Sequence, residues 1–315
     1  MAKAKRVKGI KCNSLASIGI KLVLVTRFEE LYGFQEVALD WSDPEGVHSM
    51  RVASRRLRSA LRDFMPYLRK RGINSVQKRL RNVAGALGEV RDHDVALMAL
   101  EEIGKRVPAD VSPALKKVID TRKDLREKAR EDLKSMLDKA QLDKLQLDFT
   151  AAVDAATETD GTQPAPQITY LKMSRAVILD RLKELEKLSA DLYKPFEVET
   201  LHDMRIAAKR LRYAVELFQR CWGHSISTYA RRAARMQTAL GDLHDCDVWI
   251  ESFSNEINEA RKQKQDAQVA AFVWLLNHFV KLRTKHLRRA FAEWTAWEAQ
   301  DLSEKLRAIL RNKRS

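Results

Sequence analysis

Histidine and arginine side chains recur at helical spacing in two stretches of this sequence, where they could bind an anion. In residues 47–64 (VHSMRVASRRLRSALRDF) the basic side chains stand three or four positions apart, so they follow one edge of an α-helix. Residues 201–218 (LHDMRIAAKRLRYAVELF) repeat the pattern 154 positions later, with nine of eighteen positions identical. The first basic edge consists of His48, Arg51, Arg55 and Arg58, continued by Arg62, and the second basic edge consists of His202, Arg205, Lys209 and Arg212.

The residue types on the two basic edges suit phosphate oxygens. The planar guanidinium of arginine donates two parallel hydrogen bonds to phosphate, and an imidazole binds an anion more strongly when protonated. Cations along one helix edge repel each other unless an opposite charge lies nearby. The edges therefore either pair with carboxylates of neighbouring helices or bind an anion, and the recurrence of the pattern favours the anion. Arg56 and Arg210 point elsewhere and are expected to pair with acidic groups inside their own unit.

The elements that must position these side chains are helices. Apolar residues recur at three and four positions along most of the 315-residue chain, which has 11 Gly and 7 Pro, so the sequence predicts an all-α fold. On a helical wheel each basic edge adjoins an apolar core stripe, formed by Met50, Leu57, Leu61 and Phe64 or by Met204, Leu211, Val215 and Phe218. The expected helices cover residues 14–31, 46–65, 74–103, 113–140, 169–192, 200–221, 225–259, 265–299 and 302–314.

A second motif repeats in the same order and indicates an internal duplication. ALGEVRDHDV (residues 86–95) returns as ALGDLHDCDV (residues 239–248), at an offset of 153. Residues 151–169, rich in Ala, Thr, Asp and Pro, interrupt the helical pattern between the copies. The sequence therefore predicts a first unit over residues 1–150, a linker over residues 151–169, and a second unit over residues 170–315 that ends in a short basic helix.

Composition limits the partners and the compartment. The chain has 58 Lys and Arg against 43 Asp and Glu, a net charge of +15, which favours a polyanionic partner. Three cysteines without a CxxC pair argue against a disulfide scaffold or zinc cluster and for a reducing compartment. No apolar run is long enough to span a bilayer, and Lys21 interrupts the one signal-like segment. We expect a cytoplasmic protein without a membrane partner.

The paired H-x-x-R-x-x-x-[RK]-R-L-R helices, each followed by ALG-x(2)-[RH]-D-x-D-V, resemble the conserved histidine α-helical domain, known as CHAD. The resemblance covers nearly the whole chain. It implies two four-helix bundles related by pseudo-twofold symmetry, with basic residues lining a central groove or pore. It also implies inorganic polyphosphate as the ligand and association with polyphosphate granules. Many CHAD proteins carry a CYTH domain marked by ExExK, and because that motif does not occur here we expect a stand-alone CHAD protein.

Carried over residue by residue, the resemblance places the main polyphosphate contacts on the two basic edges. In the second copy Arg91 becomes His244 and His93 becomes Cys246, so we assign neither position to the ligand. The secondary contacts that the resemblance implies are Lys21, Arg27, Arg175 and Arg181 on the first helices, Arg81 and Arg235 on the third, and Arg122, Arg126, Arg283 and Lys285 on the fourth.

Catalytic and metal-binding motifs do not emerge from the sequence. The pairs Asp92/Asp94 and Asp245/Asp247 could suggest Mg²⁺, but a spacing of two on a helix points the carboxylates in different directions. We interpret them as salt-bridge partners for arginines of neighbouring helices. There is no Gly-rich phosphate loop, HExxH motif or nucleophile elbow. We expect a binding protein without catalytic residues, metal or cofactor.

Nucleic acid is the alternative partner, because the same positive charge would attract it. Single-strand binders usually add aromatic side chains on which bases stack, and the basic edges contain no Phe, Tyr or Trp. The six tryptophans are expected mostly in the core. A third interpretation is a scaffold that links granules to other proteins or to the nucleoid through the basic tail, residues 302–315.

Overall fold

The computed structural model describes residues 4–69, 72–158 and 168–312. Within these ranges the chain forms α-helices and short 3₁₀ helices without a β-strand, and one isolated bridge joins Leu15 to Thr169. The predicted all-α fold is confirmed. None of the helices in these ranges combines the length and apolarity needed to cross a bilayer.

The observed helices follow most of the predicted ones closely. Each of the nine expected segments corresponds to an observed helix, and the largest differences are at the ends of the segments 113–140 and 169–192, whose helices end at Met136 and Lys187. The helices are α1 (Ala16–Tyr32), α2 (Gln35–Ala38), α3 (Pro44–Phe64), α4 (Ile73–Gly104), α5 (Ser112–Met136), α6 (Lys139–Thr157), α7 (Tyr170–Lys187), α8 (Val198–Trp222), α9 (Ser227–Lys262), α10 (Asp266–Ala299) and α11 (Leu302–Asn312).

Helix α6 differs from the sequence prediction and overlaps the segment predicted as a linker. Asp138 caps it by accepting a hydrogen bond from the Gln141 backbone N–H at 3.3 Å, so a new helix begins directly after α5. The helix then continues to Thr157 because Ala152 and Val153 are buried on its inner face. The first seven residues of the predicted linker are therefore helical, and residues 159–167 lie outside the described ranges.

The chain divides into two compact units. Among the described residues, unit 1 comprises those between 4 and 102 and between 119 and 173, and unit 2 comprises those between 103 and 118 and between 174 and 312. In unit 1, α1 packs against α3 and α6, and Phe28 stacks on Phe149 with ring centroids 4.8 Å apart. The pseudo-twofold relation and the basic groove stay predictions.

In unit 2, α9 packs against α8 and α10, and Trp249 stacks on Phe253 and Phe279. Helix α11 is anchored to this unit by buried Leu306 and by an ion pair between Arg307 and Glu186. The described part of the basic tail is thus a packed helix. Residues 313–315 lie outside the described ranges.

Local sequence explains where the two basic helices begin and end. Asp43 caps α3 by accepting from the Glu45 N–H at 2.9 Å, and Pro44 at the first helical position fits that turn. Pro66 follows shortly after the helix and disfavours its continuation. Helix α8 ends at Trp222, where Gly223 takes a positive φ of 76° that favours glycine.

Candidate anion-binding site

Both basic edges adjoin buried core stripes, as the helical wheel predicts. Burial of the apolar stripe fixes the rotation of each helix about its axis, so the adjoining edge is held between core and solvent. The edge side chains are half-buried, except for Arg58, which is exposed. The core-stripe prediction is confirmed, because the residues with no exposed surface include Met50, Leu57, Leu61 and Phe64 on α3 and Met204, Leu211, Val215 and Phe218 on α8.

His48 begins the first basic edge in a positive environment. Its ring is half-buried, and its Nδ1 atom has no hydrogen-bond partner among the described residues. Burial lowers the pKa of His48 below its usual value, and the charge of Arg91 on α4 lowers it further. Arg55 and Arg51 act in the same direction, whereas Glu45 opposes them. A neutral imidazole therefore lies among cations.

Arg51 and Arg58 of the first basic edge are neutralised by carboxylates weakly or not at all. Arg51 Nη2 lies 3.5 Å from Asp92 Oδ1, and the Asp92 side chain is 74% exposed, so this pair is loose. Arg58 makes no ion pair or hydrogen bond with any residue that the structure describes. Partial desolvation lowers the pKa of the Arg58 guanidinium, and the nearby charge of Arg81 on α4 lowers it further. An anion could bind both of these arginines.

The second basic edge begins with two histidines in contact. His202 Nδ1 lies 3.4 Å from Nδ1 of His244 on α9, and the ring centroids are 4.4 Å apart. A hydrogen bond between these nitrogens requires one ring to accept, so that ring is neutral. Burial lowers the pKa of His202 most, and the charges of Arg205 and His244 lower it further. Lys209 adds to this effect and Asp203 opposes it.

Contacts within unit 2 position the two arginines of the second edge. The Arg205 side chain passes Gly241 of α9, where a Cβ atom would lie 3.9 Å from Arg205 Cδ. Arg212 Nε donates to Glu216 Oε1 at 2.8 Å. Glu216 occupies the position that Arg62 has on α3, so the second edge ends in an internal ion pair while the first edge ends in a further cation.

In unit 1 a buried carboxylate joins α1 to α3. Glu30 Oε2 lies 2.5 Å from Arg27 Nη1, and Glu30 Oε1 lies 2.6 Å from Arg56 Nη1. The exposed fraction is 3% for the Glu30 side chain, 11% for Arg27 and 13% for Arg56. The expectation that Arg56 pairs inside its unit is confirmed. Arg27, a secondary ligand candidate, is held in the same ion-pair cluster.

Unit 2 contains the corresponding cluster at an offset of 154 in sequence. Glu184 pairs with Arg181 at 3.0 Å and also with Arg210. The expectation for Arg210 is confirmed, and Arg181 is held as Arg27 is. This cluster is less buried, since 24% of the Glu184 side chain is exposed.

The aspartate pairs of the second motif bind arginines of other helices, as interpreted from the sequence. Arg126 on α5 lies 3.8 Å from Asp94, and Arg283 Nε on α10 lies 2.5 Å from Asp247. Within the described ranges, no three His, Cys, Asp or Glu side chains come together as metal ligands would. Arg126 and Arg283, both secondary candidates, therefore have carboxylate partners already.

The remaining secondary candidates have separate surroundings. Arg122 on α5 is close enough to His93 for its charge to lower the pKa of that ring, after the larger effect of burial. Lys285 on α10 is exposed. Lys21 lies 2.9 Å from Asp154, the Arg175 guanidinium lies 5.8 Å from the centroid of the Trp222 ring, and Arg235 Nε lies 3.5 Å from Glu293.

Two residues that the sequence analysis left unassigned belong to the surroundings of the edges. Arg91 and His244 occupy equivalent positions of the second motif, and each acts on the histidine of its own unit. From the sequence alone, the change from Arg to His between the two motifs argues against a ligand role for this position. Both side chains are basic, and that shared property is the signal that could have identified them.

The cysteines differ from the sequence expectation. Cys246 is a buried free thiol, and burial raises its pKa to about 12, so it is unreactive near neutral pH. Cys12 and Cys221 are disulfide-bonded, which disagrees with the reducing compartment inferred from the sequence. An odd cysteine count leaves room for one bond, and the count does not support a reducing compartment.

Fold and site together define an all-helical bundle protein with paired basic helix edges. The chain belongs to the CHAD domain family, whose family model matches residues 24–254. This match includes both basic edges and both copies of the second motif.

Two solved structures share the fold of this chain. The CHAD domain from the plant Ricinus communis has a TM-score of 0.68 and 23% sequence identity, covering 98% of this chain and 96% of the plant chain. PptA from Streptomyces chartreusis has a TM-score of 0.67 and 14% identity, covering 90% of this chain and 100% of that chain. At these identities the likeness concerns the fold. A comparison with curated proteins gave no match.

Proposed function

We propose that this protein binds inorganic polyphosphate through the two basic edges and thereby associates with polyphosphate granules. The observation that carries the proposal is the grouping of cations around His48, Arg58 and His202. Burial of the two histidines and partial desolvation of Arg58 lower the pKa of each group first, and neighbouring cations lower it further. A polyanion would relieve that repulsion.

The geometry of an α-helix suits a linear ligand. Side chains spaced three and four residues apart follow the helix axis at about 5.4 Å per turn, so consecutive cations can contact consecutive parts of one phosphate chain. Arginine forks and imidazole N–H groups supply charge-assisted hydrogen bonds to phosphate oxygens. The proposal assigns binding to these residues and no catalytic step.

The side chains around the edges favour polyphosphate over single-stranded nucleic acid. Tyr213, the aromatic residue beside the second edge, is only 6% exposed, and Trp222 is only 4% exposed. Trp249, Trp294 and Trp297 are also buried, which confirms the expected core location for these tryptophans. These rings are therefore not available for base stacking, and the exposed rings of Tyr193 and Phe196 precede α8 and do not belong to the second edge.

Salt dependence and competition test the proposal. Long-chain polyphosphate should bind the full chain with an affinity that falls at least about tenfold between roughly 50 mM and 200 mM salt, because binding releases counterions. An excess of single-stranded RNA should leave most of the polyphosphate bound. Affinity that is flat with salt would contradict the electrostatic mechanism, and displacement by RNA at equal phosphate concentration would indicate a nucleic-acid binder.

A further inference from the structure

The N-terminal segment at residues 4–15, which we call the strap, runs along α1 in unit 1. Lys5 Nζ lies 2.7 Å from Glu29 Oε2 towards the end of α1, and the Lys5 carbonyl accepts a hydrogen bond from Arg27 Nη1 at 2.8 Å. Val7 and Ile10 are buried, so the strap packs as part of the unit. Its charged side chains are left on the outer surface.

A cleft of about 510 Å³ lies between the strap and the outer face of α1. Its floor is formed by Ile18, Leu22 and Val25, which share one helical face, and Ile18 is 53% exposed. The volume falls within the range of small-molecule sites. The cationic side chains that line the cleft are Lys5, Arg6, Lys8 and Lys21.

The charges around the cleft do not cancel. Lys5 and Lys21 pair with carboxylates at 2.7 and 2.9 Å. Arg6 and Lys8 are exposed and make no ion pair or hydrogen bond anywhere in residues 4–69, 72–158 or 168–312. The cleft therefore combines an apolar floor with two cations that lack acidic partners.

We propose that this cleft is a second binding site, which takes a small amphipathic anion with a medium-length alkyl chain and a phosphate or carboxylate group. The alkyl chain would cover Ile18, Leu22 and Val25, and Arg6 and Lys8 would donate charge-assisted hydrogen bonds to the anionic group. Polyphosphate lacks an apolar part and would leave this floor exposed to water. Lys21, a secondary polyphosphate candidate, would line this second site. The proposal does not depend on the function of the basic edges.

Calorimetric titration of decyl phosphate into the full chain, below the concentration at which the probe forms micelles, tests this site. We expect one molecule bound per chain, whereas inorganic phosphate and decanol at the same concentration should bind at least about tenfold more weakly, since each supplies one half of the interaction. The Arg6→Ala/Lys8→Ala variant should lose about tenfold in affinity for decyl phosphate.

Two further variants separate the site from a general surfactant effect. Ile18→Ser changes an exposed side chain of the floor and should also weaken decyl phosphate binding, with unchanged thermal unfolding. Lys11→Ala removes a cation of the strap that does not line the cleft and should bind as the wild type does. Several equivalent binding sites, or equal affinity in Arg6→Ala/Lys8→Ala and the wild type, would overturn the proposal.

Discussion

The two units use the same basic helix in different electrostatic surroundings. In unit 1 the histidine of the edge faces Arg91, whose charge is permanent near neutral pH, and Arg62 continues the row of cations. In unit 2 the equivalent of Arg91 is His244, and Glu216 takes the place of Arg62. A positive edge is thus present in both units, but the charge beside its histidine is permanent in unit 1 and partly titratable in unit 2.

The ion-pair clusters behind the edges should give the largest difference between the units. Removing the carboxylate in Glu30→Ala leaves two mostly buried arginines without their partner, which costs about 3–5 kcal/mol for a buried pair. Glu184→Ala should cost roughly 1–2 kcal/mol, because water screens that more exposed cluster. Urea denaturation of the two variants measures both free energies of unfolding. Equal losses would show that burial does not distinguish the clusters.

A close contact between α1 and α7 gives a second test within unit 1. A Cβ atom on Gly19 would lie 2.2 Å from Tyr170 Cδ2, and Tyr170 is almost completely buried, so Gly19→Ala should destabilise the protein by about 1–3 kcal/mol. The residue 154 positions later is the buried Met173, so the second occurrence of the sequence pattern does not require glycine at this position.

The matched control is Gly85→Ala on α4, where nothing lies within 4 Å of an added Cβ atom. That change should stabilise the protein by up to about 1 kcal/mol through helix propensity. Thermal denaturation should show a lower melting temperature for Gly19→Ala and an equal or higher one for Gly85→Ala, relative to the wild type. A Gly19→Ala protein as stable as the wild type would contradict the described packing of Tyr170.

The substitutions Arg91→His and His244→Arg should have the smallest effect, which is on the pH dependence of polyphosphate binding. They test directly whether the different charges beside the two histidines matter. Burial and neighbouring cations lower the pKa of His48 and His202, so both are largely neutral at pH 7 in the free protein. A bound polyanion favours the charged imidazole, so binding takes up protons and affinity should rise by roughly three- to tenfold as pH falls from about 8 to 6. Arg91→His should steepen this dependence and His244→Arg should flatten it.

Titration with polyphosphate across that pH range checks this prediction, and Lys144→Ala provides an exposed cation outside the edges as a control. A flat pH profile in the wild type would mean that neither histidine contacts the ligand. If the pH profiles of Arg91→His and His244→Arg equal that of the wild type, Arg91 and His244 do not influence polyphosphate binding.

The sequence predicts the helices and edges well because both follow from one periodic pattern. Met50 and Leu57 on α3 could be identified as core, and Arg51 as edge, from spacing alone. Helix α6 was missed because Ala152 and Ala156 give a weak apolar signal, although Asp138 followed by Gln141 is typical of a helix start.

Other features depend on contacts between helices and could not be obtained from one helical wheel. The cluster around Glu30, the contact of His202 with His244, and the bonded state of Cys12 each depend on how distant segments pack. For this reason the resemblance to CHAD proteins implies Arg27 and Arg181 as ligand contacts, while in the structure both lie beside a carboxylate.

The most direct test of the account is calorimetric titration of long-chain polyphosphate into the wild type, Arg51→Ala/Arg205→Ala and the charge-matched control Lys144→Ala/Lys262→Ala. We predict that the edge variant stays folded and loses at least about tenfold in affinity, because a hydrogen bond to a charged group contributes about 1.5–3 kcal/mol, while the control binds nearly as the wild type does. Equal binding by all three proteins would contradict the assignment of the basic edges as the polyphosphate site.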